Sequence, residues 1–311
     1  MIKSRPKLLL IRGLGHSGTT ILDLALGANP GVMGLGEAAR LLLPPRHSDA
    51  HDGPYQLRND LRFKRVCSCG SVAANCSIWG DYLEWLRLND HFSMDKKVLR
   101  LLSSIARSDD DPWYVDSYQD DLSMVRLPSD LFDLRVIHLV RDIRSWLPGR
   151  VRADRRKGKY FSSFRNTFRW IYVNQKFSNV FRLSGMPVLR VGYEELALRP
   201  ELTLRLICEW LGLTFSTHML SPGTYSKSHI LLGNRVRWQG DRNQQIVYDG
   251  SWLAGNKSSF ASFLFSVPFV AKMHRSLVYS NHLWSDRHWM EGQNQDQEMY
   301  GSKVLHNNGN S

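Results

Sequence analysis

Apolar residues in this chain gather in short runs, and helical spacing follows most of them. Lys7 to Ile11 is one such run; the stretch GLGHSGTT comes next, and ILDLALGANP then takes up helical spacing at Ile21, Leu24 and Leu26. The pattern predicts a strand, a glycine-rich loop and a helix. A second run, Arg135 to Val140, is rich in Leu, Ile and Val, and it ends in Arg141-Asp142 before a polar, basic stretch. A third, Pro187 to Val191, ends in Tyr193-Glu194-Glu195-Leu196; behind it PELTLRLICEWLGL puts Leu202, Leu206, Ile207, Trp210 and Leu211 on one helical face. Trp113 to Asp116 (WYVD), bounded upstream by Asp-Pro, reads as a further strand. Strands alternating with helices predict an α/β fold whose central parallel sheet is flanked by helices in three layers.

Between the first two long runs lies an insertion, roughly Pro44 to Asp111, with a helical stretch IWGDYLEWLRL; it is expected to cover the substrate side. Phe260 to Ala271, which contains Pro268, reads as a buried helix or helical hairpin. From Glu291 the chain is rich in Gln, Asn, Gly and Ser without an apolar period, the composition of a disordered tail. The expected organisation is one domain over residues 1–290 with the insertion at 44–111, then a tail over 291–311. With 311 residues, 42% of them apolar, the chain can bury a substantial core.

Charge narrows the partner. Forty-one Lys and Arg against 29 Asp and Glu give a net charge of +12, which suits an anionic ligand, an acidic substrate or nucleic acid. No nucleic-acid-binding motif accompanies the charge, so nucleic acid is not expected as a partner. No segment reaches the roughly 18 apolar residues a membrane helix needs, and the first residues lack the apolar region of a secretory signal. Stable membrane insertion is therefore not expected, and a cytoplasmic location is. Three of the four cysteines, Cys67, Cys69 and Cys76, cluster in VCSCGSVAANCSIW. The Cys-x-Cys spacing departs from the usual knuckle and no fourth ligand follows at regular spacing, so the stretch reads as an ordinary loop rather than a metal site. Cys208 reads as core. Trp79, Trp85, Trp113 and Trp170, at apolar spacings, also read as core.

Gly13 to Thr20 has the spacing G-x4-G-x-[ST] of a phosphate-binding loop, placed between a strand and a helix. Such a loop turns successive backbone N–H groups inward, and the helix adds its positive N-terminal end, forming an anion cradle. The lysine that normally precedes the final Ser/Thr and reaches β- and γ-phosphates is replaced by Thr19. Arg141 also interrupts the clean apolar strand end where a metal-binding acid would stand. A nucleotide kinase is the alternative these absences weaken; a donor without a γ-phosphate, handled without a metal ion, fits them.

With RVIHLVRDIRSW, VLRVGYEELALRPELTLRLICEWLGL and SHILLGNRVRW, the loop makes the chain resemble the sulfotransferases that use 3′-phosphoadenosine 5′-phosphosulfate (PAPS), over most of residues 7 to 255. The resemblance implies a P-loop-like domain with a four- or five-stranded parallel sheet. It implies PAPS as co-substrate, with no metal required, and transfer of its sulfuryl group to a hydroxyl or amine of a small-molecule, carbohydrate or lipid acceptor. Ser17, Gly18, Thr19 and Thr20 fall on the 5′-phosphosulfate loop, Arg141 on the 3′-phosphate, and Tyr193 near the adenine. His16 stands where the family usually has Lys or Arg; a ring protonated beside phosphate, or Arg12 reaching in, would serve instead. Gly149 stands where the family places a serine, with backbone N–H groups or Arg150, Arg152, Arg155 and Arg156 as possible substitutes. Glu37, behind Gly34 and Gly36, resembles the base of protein-tyrosine sulfotransferases, with Arg40 one turn on; Asp116 and Ser117 are the rival. His229, Gly233, Asn234 and Arg237 match a segment that folds back over the nucleotide, with Arg237 as a phosphate contact.

Overall fold

The computed structural model describes residues 5–43, 65–105, 112–119, 121–156, 158, 162–233, 245–250, 252–253 and 267–278. Five strands form one sheet: β1 (Lys7–Arg12), β2 (Val32–Gly34), β3 (Trp113–Asp116), β4 (Asp133–Val140) and β5 (Val188–Gly192). Their order is β2-β3-β1-β4-β5, and every pairing is parallel.

The unbroken apolar runs reflect a sheet buried on both faces, and side chains sort between the faces by parity. Leu8 and Leu10 of β1, Tyr114 of β3 and Leu134 and Val136 of β4 join one core cluster. Leu9, Ile11, Trp113, Val115, Ile137 and Leu139 join the other. Over the second face lie α1 (Thr19–Leu26) and α8 (Pro200–Leu211), with α7 (Tyr193–Leu198) leading from β5 into α8. In α8 the buried apolar residues are Leu204, Ile207, Cys208 and Leu211, so Leu202 is exposed, one step off the face the spacing suggests.

The first face is covered by α2 (Ala38–Leu42), α3 (Gly80–Leu88), α4 (Met94–Ile105) and α6 (Ser162–Ser184). Two of these helices come from the insertion. Val98, Leu101, Leu102 and Ile105 line one side of α4 and are buried beside Leu41 and Leu42, so the described insertion completes the core layer. A third cluster closes the carboxyl end of β4: Val140 packs with Ile143, Trp146 and Leu147 of α5 (Ile143–Arg155), Trp170 of α6, and Met273 and Leu277 of α10 (Pro268–Val278). A short α9 (Pro222–Tyr225) lies against α1. Trp79, Trp113 and Trp170 are fully buried and Trp85 partly so, as read from their spacing.

Residues 234–244, 279–311 and most of 251–266 lie outside the described residues. That places Asn234, Arg237, the expected tail and most of the stretch from Phe260 outside them as well. Among the described residues no helix is long and apolar enough to cross a membrane.

Candidate functional site

Every strand of the sheet delivers a site residue just past its carboxyl end, the edge at which open α/β sheets bind ligands. The loop 13–18 follows β1, Glu37 follows β2, Gln119 follows β3, Arg141 follows β4 and Tyr193 follows β5. Together with Gly233 and 245–247 they line a cleft of ≈ 600 Å³.

The loop turns where the sequence lets it. Ser17 N–H bonds Leu14 O at 3.0 Å, and Gly18 takes φ 94°, a left-handed conformation that L side chains resist. A Cβ on Gly18 would also meet the Tyr193 ring at 2.7 Å. His16 holds φ 73° without being glycine, and its exposed ring lines the cleft. Trp146 of α5 donates to Gly15 O at 2.8 Å and pins the loop to the neighbouring layer. Beyond Gly18 the first amides of α1 have no acceptor within the helix, which leaves an anion cradle at Thr19 and Thr20. Ser17 itself is buried. Desolvation lowers the His16 pKa, and the positive fields of Arg150, Arg141, Arg156 and Arg169 lower it further. Both effects favour the neutral ring over the charged one.

Arg141 is held on three sides: its Nε donates to Ser145 Oγ at 2.9 Å, one terminal nitrogen to His16 O at 3.2 Å, and the other pairs with Asp249 at 3.1 Å. Its guanidinium stacks over the Tyr193 ring, 4.4 Å from the centroid. Beneath it, Glu194 accepts from Ser145 Oγ at 2.8 Å and from Asp142 N–H at 3.0 Å. Asp142 caps α5, pairs with Arg144 at 2.6 Å and lies 3.1 Å from His274 Nε2. Burial works against its charge, but hydrogen bonds from His274 and Arg144 outweigh it and hold the pKa at about 2. The strand-end acid is thus committed to a structural network. Gly149 is exposed on α5 with open space around it, as are Arg152, Arg155 and Arg156, while Arg150 pairs with Asp154 at 3.5 Å.

Glu37, which also lines the cleft, stands at the N-cap position of α2, with its carboxylate 3.3 Å from Arg40 and 3.5 Å from Gln119 Nε2. Glu37 N–H bonds Leu232 O at 3.1 Å, and Asp116 accepts from Ala39 N–H at 2.7 Å. Arg12 and Asp116, two sequence candidates, are fully buried and paired with each other at 2.7 Å. Arg12 therefore does not reach the loop, and Asp116 braces α2 instead of facing an acceptor. Ser117 is likewise buried, donating to Asp23 at 2.7 Å. His229 also departs from expectation: its ring points at Cys76 and Cys67 and lies off the cleft, which Gly233 does line. Gln119, between Gly15 and Glu37, carried no signal in the sequence, because a glutamine three residues past a strand belongs to no motif.

Asp23 of α1 supports the Glu37 turn, accepting from Gly36 N–H at 3.1 Å as well as from Ser117. Burial pushes its pKa up, the two hydrogen bonds oppose this and Asp116 adds to it, with a net rise to about 7. Between pH 4 and 7 the native state keeps a proton that the unfolded chain has released, so this group's contribution to stability falls as pH rises. Asp23→Asn abolishes that titration. Urea unfolding should show the variant gaining on the parent by about 2 kcal/mol between pH 5 and 7. A pH-independent difference between the two proteins would show that Asp23 does not titrate there.

Fold and cleft together define a nucleotide-handling α/β protein whose phosphate loop lacks its lysine. The family model described as "Sulfotransferase family" matches residues 9–217, and the chain belongs to that family. It is a PAPS-dependent sulfotransferase. Among solved structures, the sulfotransferase domain from the curacin biosynthetic pathway is 18% identical with a TM-score of 0.54, over 85% of this chain and 99% of that one. The sulfotransferase domain from the Synechococcus PCC 7002 olefin synthase is 19% identical with a TM-score of 0.51, over 86% of this chain and 97% of that one. At these identities the likeness establishes the shared fold. A search of curated proteins finds no match.

Proposed function

We propose that the cleft binds PAPS with its 5′-phosphosulfate in the loop from His16 to Thr20 and its 3′-phosphate against Arg141, and that Glu37 is the base. The observation that carries this reading is that Glu37, the loop, Arg141 and Tyr193 line one cleft, with the loop's strand between that of Glu37 and those of Arg141 and Tyr193 in the sheet. Residues 1–290 act as one catalytic domain in this account.

In the reaction the acceptor hydroxyl oxygen attacks sulfur as Glu37 takes its proton, and the bond from sulfur to the 5′-phosphate oxygen breaks. Adenosine 3′,5′-bisphosphate (PAP) leaves with the electron pair. Negative charge grows on the bridging oxygen, which the amides at the start of α1 and the His16 ring face. The bound polyanion offsets the surrounding arginines and raises the His16 pKa, so that the ring becomes a charged donor where the family usually has Lys or Arg. Arg40 and Gln119 orient the Glu37 carboxylate. Divalent metal is not needed for this step: the acid at the end of β4 is engaged by Arg144 and His274, and the loop has no triphosphate to cradle. The cleft's volume lies within the roughly 300–1,000 Å³ of small-molecule sites, so the acceptor presents a single hydroxyl or amine of a small molecule, sugar or lipid there. The four cysteines are unbridged, which suits a reducing cytoplasm.

Thermal shift tests the donor site. A ligand that binds only the native state raises the midpoint, by about 2.7 kcal/mol of stabilisation at one hundred times its Kd. PAP should raise it by several degrees without Mg²⁺, and ADP and ATP at the same concentration should have little effect. Equal shifts with ATP that require Mg²⁺ would overturn the reading.

A further inference from the structure

Three cysteines of the insertion meet a histidine from the far end of the chain. Cys67 opens a tight turn, with Gly70 N–H on Cys67 O at 2.9 Å and Cys67 N–H on Ser71 O at 2.8 Å, while Val66 and Val72 pair antiparallel. The chain then runs through a 3₁₀ turn (Ala73–Asn75) to Cys76, whose carbonyl accepts from Gly80 N–H at 2.8 Å at the start of α3. His229 is fixed from the other side: its N–H bonds Gly34 O at 2.7 Å and its carbonyl accepts Trp79 Nε1 at 2.7 Å. Ser68 locks the two segments together, donating its N–H to Ile230 O at 3.1 Å and accepting Ile230 N–H at 2.8 Å.

These backbone bonds converge four soft donors on one point. His229 Nδ1 lies 3.2 Å from Cys76 Sγ and 3.9 Å from Cys67 Sγ, and the sulfurs of Cys69 and Cys76 are 3.8 Å apart. All four ligand atoms lie within 4.8 Å of one another. A tetrahedral Zn²⁺ with Zn–S of about 2.3 Å and Zn–N of about 2.1 Å requires ligand separations of about 3.8 Å between sulfurs and about 3.6 Å from sulfur to nitrogen. The observed separations bracket those values and exceed by far the roughly 2.05 Å of a disulfide. Cys67 and Cys76 are buried, His229 is half-buried and Cys69 stands at the rim.

We propose that Cys67, Cys69, Cys76 and His229 bind one Zn²⁺ as a closed structural site. Thiolate and imidazole ligands select zinc over hard cations, and four protein ligands leave no position for a substrate or a reactive water. The ion would tie the insertion to the segment from Ser226 to Gly233, which bonds both Gly34 and Glu37 and so forms one support of the cleft. On this proposal the cysteine stretch is a metal site where its spacing reads as an ordinary loop. Its fourth ligand lies 153 residues from Cys76, where no local spacing reveals it.

Metal analysis of the intact chain, purified without chelator or added metal, should find about one zinc per protein, the stoichiometry of a closed four-ligand site. Cys69→Ser, the mildest variant because Cys69 is exposed, and His229→Ala should each fall at least fivefold below the parent, whereas Cys208→Ser, in a separate part of the core, keeps its zinc. Cobalt exchanged into the parent should give the sulfur-to-cobalt charge-transfer and intense visible bands of a tetrahedral thiolate site, and His229→Cys should keep the metal and shift those bands. A parent that carries no zinc and takes up no cobalt in this form would overturn the proposal, as would a Cys69–Cys76 disulfide found by mass analysis. The parent's own stoichiometry decides the matter even where a variant is insoluble.

Discussion

Glu37→Gln should lower turnover by about 10²–10⁴-fold while leaving PAP binding intact, because a positioned general base contributes about that much to proton transfer. The substitution keeps the shape of the side chain, its contact with Gln119 and its place at the start of α2, and removes only the ability to accept a proton. The surroundings favour this separation of roles. Glu37 is held through its backbone by Leu232, and α2 is held by Asp116, so the turn stays in place when the carboxylate is neutralised. Arg40, which loses the negative charge 3.3 Å away, is partly exposed and solvated, and this limits the cost to stability. Single-turnover measurement of sulfuryl transfer from labelled PAPS to the best acceptor in a panel of alcohols, phenols, amines and sugars reads the chemical step directly. Turnover within threefold of the parent would remove Glu37 as the base. Asp116→Asn offers a contrast: it strands the Arg12 guanidinium in the core, and the loss of one partner of a buried pair costs about 3–5 kcal/mol, so the defect should appear in folding.

The sheet was legible because parallel strands buried on both faces leave unbroken apolar runs, and Trp113–Asp116 coincides with the run read from its β-branched and aromatic residues. β2 was not. It is three residues long and ends in Gly34, where a Cβ would fall 2.0 Å from the Asp23 carboxylate and 2.2 Å from Ser228 Oγ, so close packing there removes the apolar signal a strand usually carries. The phosphate loop, Arg141 and Tyr193 stood out because each directly follows a run read as a strand, and Glu37 because of the glycines before it; all of them line the cleft. Arg12 and Asp116 drew notice by their position as well. They too stand at strand ends, but β1 and β3 are neighbours in the sheet, and two opposite charges buried side by side satisfy each other. Gln119 and His229 reach their positions only through tertiary contacts, which no local pattern encodes.

Arg141→Ala should erase the preference for a 3′-phosphorylated nucleotide. Isothermal titration should give the parent an affinity for PAP about 10–100-fold above that for adenosine 5′-phosphate, since charge-assisted hydrogen bonds contribute about 1.5–3 kcal/mol. The ratio should fall to near one in the variant. Arg141 is already oriented to receive a phosphate, because Ser145 and the His16 carbonyl fix the guanidinium and the Tyr193 ring lies under its face. Its anionic partner in the free protein, Asp249, is half-exposed, and an exposed pair contributes about 0–1 kcal/mol, so a phosphate dianion displaces it at little cost. Arg141→Lys separates charge from geometry. It keeps the positive charge but loses the planar fork that spans Ser145, His16 and the cleft, so the ratio should fall to an intermediate value. If both nucleotides weaken equally in Arg141→Ala, with the ratio unchanged, the arginine only holds the loop and Tyr193 in place, and the 3′-phosphate is bound elsewhere along the cleft.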